Sequence, residues 1–172
     1  MLALASKLIL IALAVGVPVV VAAREAASMN SADPSAKKRV LILCTGNSCR
    51  SQLAEALWRH EAGDRWEVFS AGVDPKGINP RTGQVLKELS ISLDGHRSKH
   101  VREFEGQRFD LVITVCGHAR DVCPAFPGAE RQEHWPFDDP AAAKGSEEEV
   151  LPVFRRVRDQ IHDRIRQYVK SR

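Results

Sequence analysis

The fold of this protein is decided by residues 40–51, which read VLILCTGNSCRS. The first four side chains are apolar, a run typical of a strand that is buried on both faces of a parallel sheet. A short loop of small polar residues follows, and a helical pattern begins at Ser51. A strand, a tight loop and a helix in this order predict an anion cradle, because the loop N–H groups converge at the positive end of the helix.

Two side chains suit this cradle to chemistry on a bound oxyanion. Cys44 opens the loop and Arg50 closes it, in a Cys-x5-Arg spacing. Arginine presents a planar fork of donors to a tetrahedral oxyanion, and we expect the N–H dipoles and Arg50 to lower the pKa of Cys44. A thiolate that faces a bound anion is a positioned nucleophile. The alternative is a buried strand that ends in an inert thiol near an unrelated surface arginine.

Length and composition indicate one globular domain of ordinary character. The chain has 172 residues, of which 44% are hydrophobic and 27% are charged, which is enough for one core. Its 25 basic and 22 acidic residues are too evenly balanced to indicate nucleic-acid binding. The spacing of Cys44, Cys49, Cys116 and Cys123 does not match a structural zinc site, and no metal is expected. Reactive or redox thiols, or buried bystanders, remain.

The first 28 residues precede the predicted fold. Residues 8–23 form an apolar run, which suits a signal peptide and is short for a membrane-spanning helix. A translation start at Met29 is a third explanation. Residues 29–38 have the composition of a linker, and the globular domain is expected over 39–172. If residues 8–23 anchor the chain in a membrane, the basic residues that follow keep the domain on the cytoplasmic side.

Strands and helices alternate along the rest of the chain. The predicted elements are a helix from Ser51 to about Gly63, a strand over 66–71, a helix from Pro80 through Leu89, a helical turn over 101–104, strands over 111–116 and 131–135, and a last helix after a capping box at Ser146. This order predicts an α/β fold, a single-domain four-stranded parallel sheet with helices on both faces. Ligands bind at the carboxyl ends of such strands. Because Cys44, Cys116 and Asp139 each follow a predicted strand, we expect them to share one mouth.

Three separated motifs resemble the thioredoxin-coupled arsenate reductases, which have the low-molecular-weight tyrosine phosphatase fold. In order they are CTGNSCRS at 44–51, Cys116-Gly117 with Cys123-Pro124, and His134-Trp135 with FDDP at 137–140. The resemblance covers residues 39–172. The phosphatase relatives share the cradle and the Asp-Pro, but they lack the cysteine pair that is Cys116 and Cys123 here.

The resemblance implies the reduction of arsenate by a relay of three cysteines. Cys44 is implied to attack arsenic, and Asp139 to give a proton to the departing oxygen. Cys116 is then implied to attack Cys44, and Cys123 to attack Cys116. The residues implied to hold the oxyanion are Thr45, Gly46, Asn47, Ser48, Cys49, Arg50 and Ser51.

Partners and location follow from the same resemblance. Thioredoxin is the implied reductant, no bound cofactor is expected, and the need for a reducing partner favours the cytoplasm. A monomer is the expected state. Some relatives hold potassium near the cradle through a carboxylate in the segment that matches Ser98-Lys99. Because Lys99 stands there, its ammonium is expected to replace the ion, and we predict no potassium requirement.

Two other functions stay open on the sequence alone. One is a phosphatase that acts on phosphotyrosine or a small phosphate ester through Cys44, Arg50 and Asp139. The other is an oxyanion-binding or redox-sensing module without enzymatic activity. For the cradle itself, we expect Asn47 to hold the loop in a left-handed conformation with support from Ser70 on the second strand.

Overall fold

The computed structural model describes residues 36–122 and 125–171. The expectations for residues 1–28 and for most of the linker lie outside the described residues, and so does Cys123. Within the described ranges no helix is long and apolar enough to cross a bilayer.

Strands and helices alternate along the described residues. The strands are β1 (Lys38–Cys44), β2 (Trp66–Gly72), β3 (Leu111–Thr114) and β4 (Gln132–His134), and the α-helices are α1 (Arg50–Ala62), α2 (Pro80–Lys87), α3 (Gly117–Val122) and α4 (Glu147–Lys170). Two short 3-10 helices, Val101–Phe104 and Pro140–Ala142, complete the order. The predicted turn over 101–104 is therefore confirmed as a 3-10 helix.

The ends of the helices follow local signals in the sequence. Asn79 caps α2 by accepting a hydrogen bond from the N–H of Arg81, and the predicted capping box of Ser146 and Glu149 is present at α4. The sequence predicted that α2 would end at Leu89. In the structure it ends at Lys87. Beyond Lys87, the N–H groups of Leu89 and Ser90 donate to the carbonyl groups three residues earlier in the chain. Ser90 has a φ of 59°, a conformation that cannot continue a helix.

The sheet is parallel throughout, with the strand order β2-β1-β3-β4. The predicted four-stranded parallel sheet is confirmed. The chain passes from β1 outward to β2 and then returns to the other side of β1, so the order reverses between β1 and β3. Ligands bind at such a reversal, beyond the carboxyl ends of the strands. Cys44 ends β1 at this point, and Cys116 lies two residues beyond the end of β3.

Strand β1 is buried on both faces, as its apolar run predicts. Val40 and Ile42 belong to a large core with α1, α2 and α4, while Leu41 and Leu43 belong to a smaller core on the other face. Three phenylalanines of the smaller core lie over that second face: Phe104 of the first 3-10 helix, Phe109 and Phe126. Burying each large apolar side chain stabilises the fold by about 1.5–3 kcal/mol, so β1 is held firmly from both sides.

Candidate active site

The carbonyl groups of the loop between β1 and α1 are bonded to residues 73–79, which follow β2. In each of four backbone hydrogen bonds, an N–H of this segment donates to a carbonyl oxygen of the loop. The pairs are Val73 to Cys44 at 3.3 Å, Asp74 to Thr45 at 2.9 Å, Lys76 to Gly46 at 2.9 Å and Asn79 to Ser48 at 3.1 Å. The approach is close at Gly72, where a Cβ atom would lie 2.5 Å from the carbonyl oxygen of Thr45. These four bonds hold the cradle loop against the segment that follows β2.

Asn47 fixes the shape of the loop. Its φ is 44°, which confirms the predicted left-handed conformation. Its side-chain amide donates to Ser51 Oγ at 2.9 Å and to Ser70 Oγ at 2.7 Å. Its side-chain oxygen accepts from the Lys99 N–H at 2.7 Å and from Gln52 Nε2 at 3.0 Å. Asn47 is fully buried, so water cannot serve as its hydrogen-bond partner. Protein groups satisfy every polar atom of its side chain, and the predicted Ser70 is one of them.

Cys44 lies at the bottom of the cradle with two hydrogen-bond partners on its sulfur. Ser51 Oγ is 2.8 Å from the sulfur, and the Asn47 N–H donates to it over 3.0 Å. Since Ser51 Oγ already accepts from Asn47, its own proton is available to the sulfur. Burial nevertheless raises the pKa of Cys44 above its usual value, although the bonds from Ser51 and Asn47 act in the opposite direction. The expected lowering of the pKa of Cys44 is therefore wrong, because burial outweighs the polar contacts.

Arg50 and Asp139 meet at the side of the pocket. The guanidinium of Arg50 lies 2.9 Å from Asp139 Oδ2 and donates to the Phe137 carbonyl at 3.2 Å. The other carboxylate oxygen of Asp139 accepts from the N–H of Ala141, which caps the second 3-10 helix. Asp139 thus combines a capping role with a position beside the anion site, and the side chain of Arg50 is only 13% exposed.

A pocket of about 350 Å³ lies over the cradle loop. Its lining residues are Cys44, Thr45, Gly46, Ser48, Cys49, Arg50, Lys76, Asp139 and Ala141. Lys76 was not predicted as a site residue, because residues 72–80 were interpreted only as a loop. The predicted parallel sheet could have indicated Lys76. Its loop follows a strand that neighbours β1, so the loop begins at the same edge of the sheet as the cradle.

Cys116 lies against the cradle, at the point where α3 begins. It is 5% exposed, and its sulfur lies 3.3 Å from the hydroxyl oxygen of Thr45, the residue next to Cys44. An electrostatic interaction with Cys116 is a smaller cause that also raises the pKa of Cys44. Of the three residues expected to share one mouth, Cys44 and Asp139 line the pocket. Cys116 is not among the lining residues, but it contacts Thr45 of the same loop.

Comparison with known proteins assigns the fold to a family. The family model described as low molecular weight phosphotyrosine protein phosphatase matches residues 39–171. The chain belongs to this family.

Within the low molecular weight phosphatase family, the chain is similar to proteins named arsenate reductase. The arsenate reductase of Halalkalibacterium halodurans is 47% identical over 135 residues, which are 78% of this chain and 97% of that protein. A solved arsenate reductase in the phosphate binding state has a TM-score of 0.68 and 29% identity, covering 78% of this chain and 98% of its own. A thioredoxin-dependent arsenate reductase of Corynebacterium glutamicum has a TM-score of 0.61 and 30% identity, covering 78% of this chain and 60% of its own.

A buried carboxylate lies behind the cradle loop. The sequence had not predicted it as part of the site. Glu55 on α1 is 1% exposed. Its Oε2 accepts from Ser70 Oγ at 2.5 Å and from Lys99 Nζ at 3.2 Å, and its Oε1 lies 2.5 Å from Arg59. The signal in the sequence is a charged residue between two alanines on a helix that packs into the core. Two cations therefore neutralise Glu55, and Ser70 connects it to Asn47.

Cys49 lies in the same loop, but its side chain does not take part in the hydrogen bonds to the Cys44 sulfur. It is 6% exposed, its sulfur lies 3.9 Å from Ser48 Oγ, and burial raises its pKa. Among the described residues, no group of three His, Cys, Asp or Glu side chains has an arrangement that could hold a metal ion.

Proposed function

We propose that this protein reduces arsenate to arsenite through Cys44, Cys116 and Cys123, with thioredoxin as the reductant. The observation that carries the proposal is the contact of Cys116 with Thr45, which brings a second thiol to the rim of an oxyanion cradle that already holds Cys44. Relatives named arsenate reductase, at up to 47% identity over most of the chain, support the choice of substrate.

The first step is an attack of Cys44 on bound arsenate. The Arg50 guanidinium holds the oxygens of the anion together with the N–H groups of residues 45, 46 and 48–50. The Asn47 N–H instead donates to the Cys44 sulfur. The Cys44 thiolate forms a bond to arsenic, and one arsenic–oxygen bond breaks. Asp139 gives its proton to the departing oxygen, which leaves as water. Asp139 lies beside Arg50 at the pocket wall, as this role requires.

The second step transfers two electrons to arsenic. The Cys116 thiolate attacks the Cys44 sulfur, so that a sulfur–sulfur bond forms while the sulfur–arsenic bond breaks. The electron pair of the broken bond stays on arsenic, which leaves as arsenite in the +3 state. The hydroxyl of Thr45 lies 3.3 Å from the attacking sulfur and can donate a hydrogen bond to it in its thiolate form.

The third step renews Cys44. Cys123 attacks the Cys116 sulfur of the Cys44–Cys116 disulfide, which releases the Cys44 thiolate and leaves a Cys116–Cys123 disulfide. Thioredoxin then reduces that disulfide by two further exchanges. Cys116 is buried at the start of α3, so we expect the segment from 116 to 123 to change conformation before thioredoxin reaches it.

Thioredoxin as partner has support from one solved relative, whose name describes it as thioredoxin-dependent. The reaction needs a supply of reduced thioredoxin, so the cytoplasm is the proposed location. We propose a monomer that detoxifies arsenate and carries no bound cofactor, as the sequence predicts. Hydrolysis of phosphate monoesters is the second candidate, because Cys44, Arg50 and Asp139 suffice for it and the family is named for that activity.

One assay separates the two candidates. The full chain is mixed with arsenate, thioredoxin, thioredoxin reductase and NADPH, and NADPH consumption is followed. Arsenate-dependent consumption that is lost in both Cys116→Ser and Cys123→Ser supports the relay. Hydrolysis of para-nitrophenyl phosphate is the matched control, because it should persist in both variants and disappear only in Cys44→Ser. Undiminished arsenate turnover in either Cys116→Ser or Cys123→Ser would rule out the relay.

A further inference from the structure

Lys76 lines the pocket over the cradle, although its ammonium is bonded elsewhere. Its N–H donates to the Gly46 carbonyl at 2.9 Å, and its Cγ lies 3.2 Å from the position that a Cβ of Gly46 would occupy. The first part of the side chain is therefore fixed across the loop. The ammonium lies 2.5 Å from Asp74 Oδ2 at the outer rim.

The pair of Lys76 and Asp74 is weak enough to exchange partners. The two side chains are 63% and 61% exposed, and ion pairs in such positions contribute little to stability because water screens them. A lysine ammonium sits on a flexible four-carbon stem with three donors. Rotation about the outer bonds of that stem can move the charge from Asp74 toward the pocket without disturbing the fixed backbone.

The charges in the pocket call for a second cation. Arg50 and Lys76 are the only positively charged residues among the described residues that line it. A doubly charged oxyanion and a Cys44 thiolate together bring three negative charges. Arg50 supplies one positive charge, and the helix N-terminus adds the equivalent of about half a charge. About one and a half negative charges would then remain uncompensated, and a second cation in the pocket would reduce this excess.

We propose that Lys76 is a second cationic ligand of the bound oxyanion, and that its ammonium exchanges Asp74 for the anion when the pocket fills. Asp74 then acts as the partner of the ammonium before the anion binds. A small inorganic dianion does not fill the opening of the pocket, so the Lys76 ammonium can reach its oxygens. Lys76 is therefore a determinant of specificity for small dianions. The choice of arsenate as the ligand rests on the proposed function, but binding of the anion can be measured without turnover.

Titration calorimetry of inorganic phosphate into the reduced full chain tests the proposal. We expect Lys76→Met to bind phosphate roughly three- to tenfold more weakly, the range for one partly exposed charged contact. Lys76→Arg, which keeps the charge, should stay within about twofold of the unchanged protein. Asp74→Asn should bind about two- to threefold more tightly, because the ammonium has lost its competing partner.

A structural effect of the substitution has a different signature from a lost charge. If Lys76 contacts the anion, the loss in Lys76→Met should be larger above the second ionisation of phosphate than below it, and should shrink at high salt. Equal binding by the unchanged protein and Lys76→Met would overturn the proposal, and so would weaker binding by Asp74→Asn. Neither result would alter the case for the cysteine relay, which NADPH consumption tests separately.

Discussion

The hydroxyl of Thr45 lies 3.3 Å from the sulfur of Cys116, so the residue after the cradle cysteine directly contacts the cysteine that follows β3. This contact joins the proposed anion site to the second thiol. It exists because β1 and β3 are neighbours in the sheet, and Leu43 is paired with Thr114 at their carboxyl ends. The proposed disulfide exchange between Cys44 and Cys116 depends on this neighbourhood.

Replacing Thr45 with valine should slow the second step and leave the first intact. The hydrogen bond to a charged sulfur contributes about 1.5 kcal/mol, so the rate of Cys44–Cys116 disulfide formation should fall roughly tenfold. Rapid mixing with arsenate followed by acid quenching and mass measurement would give this rate. Thr45→Ser keeps the hydroxyl and should stay within about threefold of the unchanged protein; an equal loss in the serine and valine variants would point to packing instead.

The pKa of Cys44 should rise further when Ser51 is replaced with alanine. Burial already raises this pKa, while the bond from Ser51 lowers it, so removing the hydroxyl removes a stabilising contact of the thiolate. Because only the thiolate reacts, alkylation of Cys44 by iodoacetamide should be slow at neutral pH, should increase as the pH rises, and should shift to higher pH in Ser51→Ala.

Ser48→Ala provides the control for that experiment. The Ser48 hydroxyl contacts the sulfur of Cys49, at 3.9 Å, so its loss should leave the alkylation profile of Cys44 in place. Peptide mapping would separate Cys44 from the other thiols. An unchanged profile in Ser51→Ala would mean that the 2.8 Å contact has no effect on the thiolate.

Replacing Asn47 should destabilise the whole protein. Its loss removes one hydrogen bond each from the buried side chains of Ser51, Ser70 and Gln52, and we expect Asn47→Ala to reduce the free energy of unfolding by about 2–4 kcal/mol. Asn47→Gly removes the same bonds but accepts the φ of 44° without strain, so it should be about 1 kcal/mol more stable than the alanine variant. Urea unfolding would measure both values. Equal stability of the two variants would exclude strain at this position.

Potassium should have no specific effect on this protein. The ammonium of Lys99 lies 3.2 Å from the buried carboxylate of Glu55, so a fixed positive charge already faces that group. Arsenate reduction should therefore proceed at the same rate in potassium chloride and in sodium chloride at equal ionic strength. A severalfold higher rate with potassium would contradict the prediction. In Lys99→Met the carboxylate loses one of its two cationic partners and keeps Arg59, and a dependence on potassium is then expected to appear.

Much of the architecture is encoded in local patterns. The apolar run before Cys44 predicted a strand buried on both faces, and alternation with helical patterns predicted the parallel sheet. Such patterns repeat with the period of the element that they form, so they can be read from neighbouring residues alone. The end of α2 does not follow from its pattern, because Leu89 continues the apolar stripe while the backbone at Ser90 has already left the helix.

The cradle follows from neighbouring residues alone. A cysteine, a short polar loop and an arginine all lie within residues 44–50, so local geometry is enough to bring them together. The residues that surround the cradle, in contrast, are set by long-range packing. Lys76, Glu55 and Cys116 come from three different segments, and their contacts with the loop depend on strand order and helix packing. The sign of the pKa shift of Cys44 also depends on the fold, because it is set by how deeply the surrounding segments bury the sulfur.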